Sequence, residues 1–366
     1  MIRAAADLVL CVNGGSSSTK CAVYRVGDGE ELVSEAAVDA TGVEALDEAL
    51  AQLGSPRDET SAVGHRVVHG GPAHYRPTRV DDALLADLTA LVPLAPLHQP
   101  PALAAIAALR ARWPERPHVA CFDTAFHHDM PETSWRLPLP AGVAGHDLRR
   151  YGFHGLSCEY VVGAVGADTL GRAVIAHLGG GSSLTAIEDG RSVDTTMGLT
   201  PTGGVVMATR SGDLDPSVLI YLAREHGYDA GRLERLVDRG AGLAALSGGS
   251  GDMRELLARR DRGDAPAALA VDIYTTRVRM QVGAFAARLG ALDTIVFTGG
   301  IGASAAPVRA EICRGLGVLG VELDEARNTE HAAVISAPTS AVAVRAVPTD
   351  EQLVIARSTR AVLAAA

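Results

Sequence analysis

Two segments rich in glycine and serine each follow an apolar run in this 366-residue sequence. They read NGGSSS at residues 13–18 and GGGSS at residues 179–183, and a related segment, GGIG, occupies residues 299–302. In a turn of small residues, consecutive backbone N–H groups can converge on an anion, and glycine lets a phosphate approach closely. A single loop of this kind is also typical of an ordinary hairpin turn. The matched pair indicates a polyphosphate that is bound from two sides. Because none of the segments matches GxxxxGK[ST] or GxGxxG, a P-loop or Rossmann site is disfavoured.

Two arginines lie among glycine and polar residues, not on a charged helix face. Arg66 lies in residues 64–71 (GHRVVHGG), an expected strand, and Arg210 lies in residues 209–213 (TRSGD), a polar loop. The guanidinium group is planar and permanently charged, and it pairs with carboxylate or phosphate groups through parallel hydrogen bonds. A structural ion pair with a neighbouring aspartate is the alternative for Arg210. Two arginines in such settings favour an anionic substrate.

One histidine and two acidic residues could complete a phosphoryl-transfer site. His154, between aromatic and small residues, could donate a hydrogen bond to a transferring phosphoryl group, with a core histidine as the alternative. Asp123 follows the apolar run 118–122, and a carboxylate at a strand end suits Mg²⁺. Glu351 is a second acidic candidate, or else a favourable charge at a helix start. The histidine pair at residues 127–128 is interpreted as a surface feature.

The elements that must position these residues alternate between strands and helices, which predicts an α/β fold. An apolar strand, a Gly/Ser loop and a return strand occur at residues 8–26 and again at residues 173–187, which indicates an internal duplication. The length favours two domains with a boundary near residues 145–151. The polar stretch 197–216 has the composition of an active-site loop. Helices are expected at residues 81–91, 100–110, 216–224 and 266–289.

Composition excludes several classes of protein. The formal net charge of −10 argues against a nucleic-acid-binding protein. Five scattered cysteines without a CxxC pair argue against a disulfide framework or a zinc site and fit a reducing compartment. The N-terminal apolar run is interrupted by Asp7, so a first strand is favoured over a signal peptide. No apolar stretch reaches the ~18 residues of a membrane span. We expect a cytoplasmic protein that engages neither nucleic acid nor membrane.

An ordered series of segments resembles the acetate kinase family, within the superfamily of acetate and sugar kinases, Hsp70 and actin. The longest match covers the polar stretch that contains Arg210. The matching segments are residues 12–20, 64–71, 95–100, 122–127, 150–155, 194–201, 209–216, 251–254, 297–302 and 348–351. Any one segment could match by chance, whereas the series in this order is highly specific.

The resemblance implies a fold, a reaction and partners. The fold would be two ribonuclease-H-like lobes around a central cleft, as in actin-like ATPases, with the first lobe at residues 1–149 and the C-terminal helix 352–366 packing back onto it. The second lobe, residues 150–351, would bind the nucleotide and form a homodimer. The reaction would be reversible phosphoryl transfer from ATP to acetate, giving ADP and acetyl phosphate, with Mg²⁺ or Mn²⁺ as the metal ion.

The resemblance also assigns roles to residues. The positions implied to be catalytic are Asn13, Arg66, His98, Asp123, His154 and Arg210, and the metal would be held by Asn13 and Glu351. The nucleotide positions are Ser16, Ser18, Lys20, His177, Gly179, Gly180, Gly181, Asp252, Met253, Arg254, Gly300 and Ile301. The apolar pocket for the acetate methyl group would be Val68, Leu97, Phe153 and Pro201. This inventory suits direct in-line transfer, because an ionised carboxylate needs no general base.

The sequence departs from the family pattern in places that leave alternatives open. Gly180 stands where asparagine is usual, Ala303 and Ser304 replace Glu-Asn, Gln99 replaces asparagine, and residues 156–158 differ from Thr-Ser-His. Propionate or butyrate could be the acceptor, since one or two methylenes are worth only ~1–3 kcal/mol of discrimination. Pyrophosphate or another nucleotide could replace ATP. A non-catalytic nucleotide-binding sensor is a third alternative, which the retained arginines and histidine disfavour.

Overall fold

The computed structural model describes residues 7–15, 18–140, 143 and 148–365, and Ser16, a predicted nucleotide residue, lies outside them. The described chain forms two compact units. The first unit contains the described residues of Met1–His128, Phe153–Tyr160 and Asp350–Ala366, and the second contains those of Asp129–Gly152 and Val161–Thr349. The division therefore falls at other residues than the expected 149/150 boundary, which stays a prediction. Within the described ranges, no helix is long and apolar enough to span a membrane.

The strands fall into two sheets. They are β1 (Asp7–Gly14), β2 (Thr19–Val26), β3 (Glu30–Val38), β4 (Ala62–Val67), β5 (Thr78–Arg79), β6 (His118–Phe122), β7 (Ala173–Leu178), β8 (Ser182–Glu188), β9 (Arg191–Thr195), β10 (Thr294–Thr298) and β11 (Ala343–Ala346). The first sheet has the order β3-β2-β1-β4-β6-β5, and the second has the order β11-β10-β7-β8-β9.

The α-helices are α1 (Val43–Leu53), α2 (Asp82–Ala90), α3 (Gln99–Arg112), α4 (Glu132–Trp135), α5 (Gly155–Val165), α6 (Ala167–Leu170), α7 (Pro216–His226), α8 (Ala230–Arg239), α9 (Gly242–Ser247), α10 (Met253–Asp261), α11 (Ala265–Leu289), α12 (Gly299–Ser304), α13 (Ala306–Arg314), α14 (Glu325–Thr329) and α15 (Glu351–Ala364). The four helices expected from the sequence correspond to α2, α3, α7 and α11.

In the first unit, helices cover both faces of the central strand. Leu10 and Val12 of β1 pack in the cluster that contains the buried face of α1, whereas Val9 and Cys11 pack in the cluster that contains α15. Because successive side chains of a strand point to opposite faces, β1 can be a continuous apolar run only when both faces are buried. This arrangement fixes β1, and with it the loop that follows, in the middle of the sheet.

In the second unit, α11 is the central packing helix. Val271, Tyr274, Val278 and Val282 are fully buried along one face at helical spacing. The helix begins where the side chain of Asp264 accepts a hydrogen bond from the backbone N–H of Ala267, and it ends before Gly290, whose φ is 72°. The sequence expectation of a long core helix is confirmed.

The two sheets repeat one topology, as the paired loops predicted. β1, β2 and β3 form an antiparallel meander, and β4 and β6 extend it in parallel with β1. β7, β8 and β9 form the same meander, and β10 and β11 extend it in parallel with β7. The α/β class and the internal duplication are confirmed.

Candidate active site

Three predicted site residues lie at the same edge of the first sheet. Asn13 is near the end of β1, Arg66 is near the end of β4, and Asp123 directly follows β6. These three strands are parallel neighbours, so their carboxyl ends meet. Ligands of open α/β sheets bind outside the carboxyl ends of the strands. The topology thus brings together residues that are far apart in sequence.

Arg66 is the centre of a buried hydrogen-bond network. Its Nε donates to both carboxylate oxygens of Asp123, at 3.1 and 3.0 Å, and its Nη2 donates to Oδ2 of the same carboxylate. Its Nη1 donates to Oδ1 of Asn13 at 2.9 Å. Nδ2 of Asn13 in turn donates to Glu351 at 2.7 Å. Because guanidinium carries five N–H donors, one remains on each terminal nitrogen of Arg66 for a substrate oxygen.

The charges of this network are mutually dependent. Burial alone would lower the pKa of Arg66, but the charges of Asp123 and Glu351 outweigh burial and raise that pKa, so Arg66 stays cationic. Burial raises the pKa of Asp123 to about 6, with Arg66 opposing the rise and Glu351 adding to it. Asp123 therefore orients Arg66 as its ion-pair partner, a function that its position at a strand end did not reveal.

His154 is held against the same strand end by its backbone. It has φ of +59°, a left-handed conformation that is uncommon outside glycine, and its carbonyl accepts the first hydrogen bond of α5, from the N–H of Cys158. The N–H of Gly155 donates to the carbonyl of Asp123 at 2.9 Å. A Cβ on Gly155 would lie 2.2 Å from that carbonyl oxygen, so only glycine permits the approach. Strained backbone of this kind is typical of functional sites.

The predicted apolar pocket residues of the first unit surround His69. Val68 is 3 % and Phe153 is 1 % exposed, and the ring of Phe153 meets the His69 ring edge-on with 5.5 Å between centroids. Gln99 donates from Nε2 to the carbonyl of His69 at 3.0 Å and accepts from its N–H at 3.3 Å. This longer side chain in place of asparagine is thus fully used. Leu97 is half-buried.

His98 and His127 extend this region. His98 is buried at the start of α3. His127 is fully buried and hydrogen-bonded through Nε2 to the carbonyl of Phe153 at 3.0 Å, and burial lowers its pKa to about 4. The interpretation of residues 127–128 as a surface feature was therefore wrong for His127. The error arose because its polar partner is a backbone carbonyl 26 residues away.

The start of α15 positions Glu351. Asp350 caps this helix by accepting from the N–H of Leu353 at 2.9 Å, and it accepts from the hydroxyl of Tyr24 at 2.6 Å. Glu351, the first helical residue, is thereby anchored beside Asn13. Neither Asp350 nor Tyr24 was predicted as a site residue, although an aspartate before an apolar run is a helix-capping signal.

The donor set of the first unit fits a magnesium ion that is bound jointly with a polyphosphate. Among the described residues, no group of three or more His, Cys, Asp or Glu side chains could hold a metal alone. Mg²⁺ typically takes one or two protein carboxylates together with water and phosphate oxygens. Glu351, with the amide of Asn13 beside it, supplies such a partial set.

The glycine-rich segments of the second unit meet at one sheet edge. Residues 179–181 follow β7, and α12 begins directly after β10, its parallel neighbour. A Cβ on Gly299 would lie 3.1 Å from Nε2 of His177, which shows how close these segments are. Residues 299–302 form the start of a short helix instead of a loop like the other two glycine segments. Gly300 and Ile301 lie in its first turn.

The loop that carries Arg210 is joined to the glycine segment. The N–H of Ala208 donates to the carbonyl of Gly180 at 3.2 Å. Arg210 is 6 % exposed and donates from Nη1 to the carbonyl of Pro201 at 2.7 Å. The neighbouring Asp213 accepts instead from the N–H of Gly204 at 2.7 Å. The structure thus places Arg210, Pro201 and the glycine segment in one part of the second unit.

The predicted adenosine residues form the start of α10. Asp252 caps the helix and pairs with the side chain of Arg254, whose hydrogen bonds lower the pKa of Asp252 to about 2. The side chain of Arg254 is 92 % exposed, whereas Met253 is a core residue at 3 % exposure. Gly251 places this turn against the Arg210 loop, since a Cβ there would lie 2.5 Å from the carbonyl oxygen of Ala208.

Two further predicted nucleotide residues, Ser18 and Lys20, lie in the first unit at or just before β2. Lys20 is exposed on β2, directly opposite Asn13 of β1. The carbonyl of Ser18 accepts a hydrogen bond from the N–H of Gly15 at 2.8 Å.

Sequence reasoning also missed Arg309, which is fully buried in α13 and donates to the carbonyls of Gly302 and Ala303 at 2.9 and 2.8 Å. It holds the end of α12.

Comparison with known proteins identifies relatives of the whole chain. Residues 33–357 match the model of the Acetokinase family. An acetate kinase of Streptomyces avermitilis is 44 % identical, over 100 % of this chain and 92 % of that protein. The crystal structure of Porphyromonas gingivalis acetate kinase superposes with a TM-score of 0.87 at 33 % identity, covering 98 % of this chain and 100 % of the other.

A second similar structure is that of a propionate kinase. The propionate kinase of Francisella tularensis superposes with a TM-score of 0.86 at 32 % identity, covering 97 % of this chain and 99 % of the other. The family match extends over most of the sequence, and its span contains Arg66, Asp123, His154, Arg210 and Glu351. The chain belongs to the acetokinase family.

Proposed function

We propose that this protein is an acetate kinase, which transfers the γ-phosphoryl group of ATP reversibly to acetate and forms acetyl phosphate and ADP. The observation that carries the proposal is Arg66, held rigidly by Asp123 and Asn13 with N–H donors to spare, on a strand that leads into the apolar Val68. A cationic guanidinium group next to a small apolar surface suits a short carboxylic acid. Membership of the acetokinase family supports the same activity.

The residues of the chain suffice for direct transfer. Acetate is ionised at neutral pH, so one of its oxygens can attack the γ-phosphorus while the bond to the ADP oxygen breaks, and no proton has to be removed. Arg66 orients the carboxylate, and Arg210 and His154 stabilise the charge on the transferring group. His98 assists from its position at the start of α3. Catalysis then rests on positioning and on charge neutralisation.

The nucleotide is assigned to the second unit. Backbone N–H groups of residues 179–181 receive the phosphates, and the starts of α10 and α12 receive the adenosine. Glu351 and Asn13 would hold Mg²⁺, or Mn²⁺, which neutralises phosphate charge when bound.

A cytoplasmic location remains a prediction. A homodimer through the second unit is supported by large apolar side chains that are exposed there, Ile220 at 50 %, Tyr221 at 57 % and Met280 at 59 %.

Propionate is the second candidate acceptor, favoured by the likeness to a propionate kinase. The departures at Gly180, Ala303 and Ser304 keep pyrophosphate as an alternative donor. Ala303 is half-buried and Ser304 is exposed. Their side chains lack the carboxylate and the amide that are usual at these positions. A sensor without turnover is disfavoured by the intact network around Arg66.

Acyl phosphate trapped with hydroxylamine tests the proposal. Acetate, propionate and butyrate are each assayed with Mg-ATP, with Mn-ATP and with pyrophosphate. We expect the highest kcat/KM for acetate with ATP. A higher value for propionate would change the acceptor, formation with pyrophosphate alone would change the donor, and no product with any pair would leave the sensor alternative.

A further inference from the structure

A cavity of about 400 Å³ opens in the first unit, away from the residues assigned to catalysis. Its wall includes Arg79 of β5, Arg110 at the end of α3, Arg116 in the following turn and His118 at the start of β6. Pockets of 300–1,000 Å³ are the usual size for small organic ligands. Three arginines around one cavity are notable in a chain with a net charge of −10.

Among the described residues, no buried carboxylate forms an ion pair with these three arginines, and Arg79 is exposed to solvent. Within the part of the chain that the structure describes, the side chain of Arg79 makes no hydrogen bond or ion pair. Arg110 pairs with Asp82 at 3.0 Å, but the Asp82 side chain is 93 % exposed, so water screens the pair.

Arg116 is fixed by neutral acceptors. Its Nη1 donates to the carbonyl of Arg57 and the hydroxyl of Thr60, at 3.0 and 2.9 Å, and its Nη2 donates to the carbonyl of Asp58 at 2.7 Å. These bonds hold the guanidinium in place without a hydrogen-bonded carboxylate. The charge of Asp58 opposes the lowering of the Arg116 pKa by burial, but its carboxylate makes no hydrogen bond to the guanidinium, so the positive charge is preorganised and only partly offset.

His118 lines the cavity together with the three arginines. It is 4 % exposed, and its Nδ1 is 2.9 Å from Nε2 of His65. Burial lowers the pKa of His118, and the charges of Arg110 and Arg116 lower it further. A neutral imidazole in the cavity wall adds no charge of its own, so the arginines determine which ligand fits.

The cavity is separate from the catalytic residues along the same strand. His118 begins β6, and Asp123 follows its other end. At about 3.3 Å per residue, the two positions are roughly 16 Å apart. An anion bound at one end therefore does not occupy the place of a substrate at the other.

We propose that the cavity lined by Arg79, Arg110, Arg116 and His118 is a second ligand site, which binds a small phosphomonoester dianion. The dianion would receive hydrogen bonds from Arg79 and Arg110 at the rim and from the preorganised Arg116. The volume leaves room for the organic group of a phosphomonoester beside its phosphate. A monocarboxylate such as acetate would use only part of this charge.

Trp113 provides a local reporter. The Arg116 guanidinium lies over its ring at 4.4 Å from the centroid. The chain has 2 tryptophans, so Trp135→Phe leaves Trp113 as the only fluorophore of this type. The full-length variant is titrated in phosphate-free buffer with inorganic phosphate, glycerol 2-phosphate and succinate. We expect a saturable fluorescence change with both phosphates and much weaker binding of succinate.

Three further variants in the Trp135→Phe background locate the site. Arg79→Gln and Arg110→Gln should each weaken glycerol 2-phosphate binding on the order of tenfold, since each removes a charged donor. Arg112→Gln is the matched control, because Arg112 shares α3 with Arg110 and lies 5.2 Å over Trp113 but is not in the cavity wall. It should bind as the parent does.

An active-site variant separates this site from the catalytic one. In Arg66→Gln, the phosphate response of Trp113 should persist. The proposal is overturned if the parent shows no saturable response, if Arg112→Gln weakens binding as much as Arg79→Gln does, if Arg66→Gln abolishes the response, or if succinate binds as tightly as glycerol 2-phosphate. Arg79→Gln should keep its phosphotransferase rate in phosphate-free buffer.

Discussion

The two units share a five-strand topology, to which the first sheet adds β5, but they carry different chemistry at equivalent strand ends. In the first unit, β4 and β6 lead to charged side chains, with the part-buried Arg66 paired with the fully buried Asp123. In the second unit, β7 and β10 end in glycine segments. One topology thus supports a side-chain site in one unit and a backbone site in the other.

The difference shows two ways of fixing a geometry. In the first unit, ion pairs and hydrogen bonds select one arrangement of Arg66, so a change of charge should matter most. In the second unit, close backbone approaches such as Gly251 against Ala208 determine the shape of the loops, so adding any side chain there should matter most. Gly155 departs from this division, because it is a close backbone approach within the first unit.

The largest expected effect is on Arg66. In Arg66→Ala, the substrate loses its fixed cationic donors, and we expect kcat to fall by a factor of ~10³ or more. Asp123 would remain buried without its partner, and because burial raises its pKa it can take up a proton, which moderates the loss of stability. Hydroxylamine-trapped acyl phosphate and the thermal midpoint Tm are measured on the same preparations.

Arg25→Ala is the matched control for this change. Like Arg66, Arg25 lies on a strand of the first unit and is paired with a carboxylate, that of Glu31. Its side chain, however, is 45 % exposed. Surface pairs contribute about 0–1 kcal/mol, so activity and Tm should be unchanged. If Arg66→Ala kept near-normal turnover with an unaltered Tm, the buried network would not be the acceptor site.

The second effect tests the role of glycine in the second unit. A Cβ on Gly251 would lie 2.5 Å from the carbonyl oxygen of Ala208, whereas a Cβ on Gly249 would meet nothing within 4 Å. Gly251→Ala should therefore displace the start of α10 or the Arg210 loop, raise the KM for ATP on the order of tenfold and lower Tm. Gly249→Ala should leave both quantities unchanged.

The acceptor supplies the contrast within this experiment. The KM for acetate should change less than the KM for ATP in Gly251→Ala, because three of the four predicted pocket residues, Val68, Leu97 and Phe153, lie in the first unit. Equal increases in both values, or a normal KM for ATP in Gly251→Ala, would contradict the assignment of the nucleotide to the second unit.

Features that depend on residues close together in the sequence could be predicted, whereas contacts between residues far apart in the sequence could not. Local signals, the amphipathic spacing and the proline at its start, located α11, and similar local patterns placed Arg66 and Asp123 on or after strands. The pairing of these two residues joins positions 57 apart, and no local pattern specifies it. Arg309 was missed for a related reason. An arginine in a helix is ordinarily exposed, and its burial depends on acceptors such as Asn328 that the fold brings to it.

The smallest expected effect concerns Gly180, where the family usually has asparagine. A Cβ on Gly180 would meet nothing within 4 Å, and its φ is not in the left-handed range, so Gly180→Asn should fold without strain. The added amide can donate to a phosphate, and a single such hydrogen bond is worth about 0.5–1.5 kcal/mol. We expect the KM for ATP to fall by a factor of ~2–10, with the KM for acetate and Tm unchanged.

Gly180→Ala is the control, since it adds the Cβ without the donor. If Gly180→Asn and Gly180→Ala gave the same KM for ATP, the segment would bind phosphate through its backbone alone, and the contrast between the two units would become sharper.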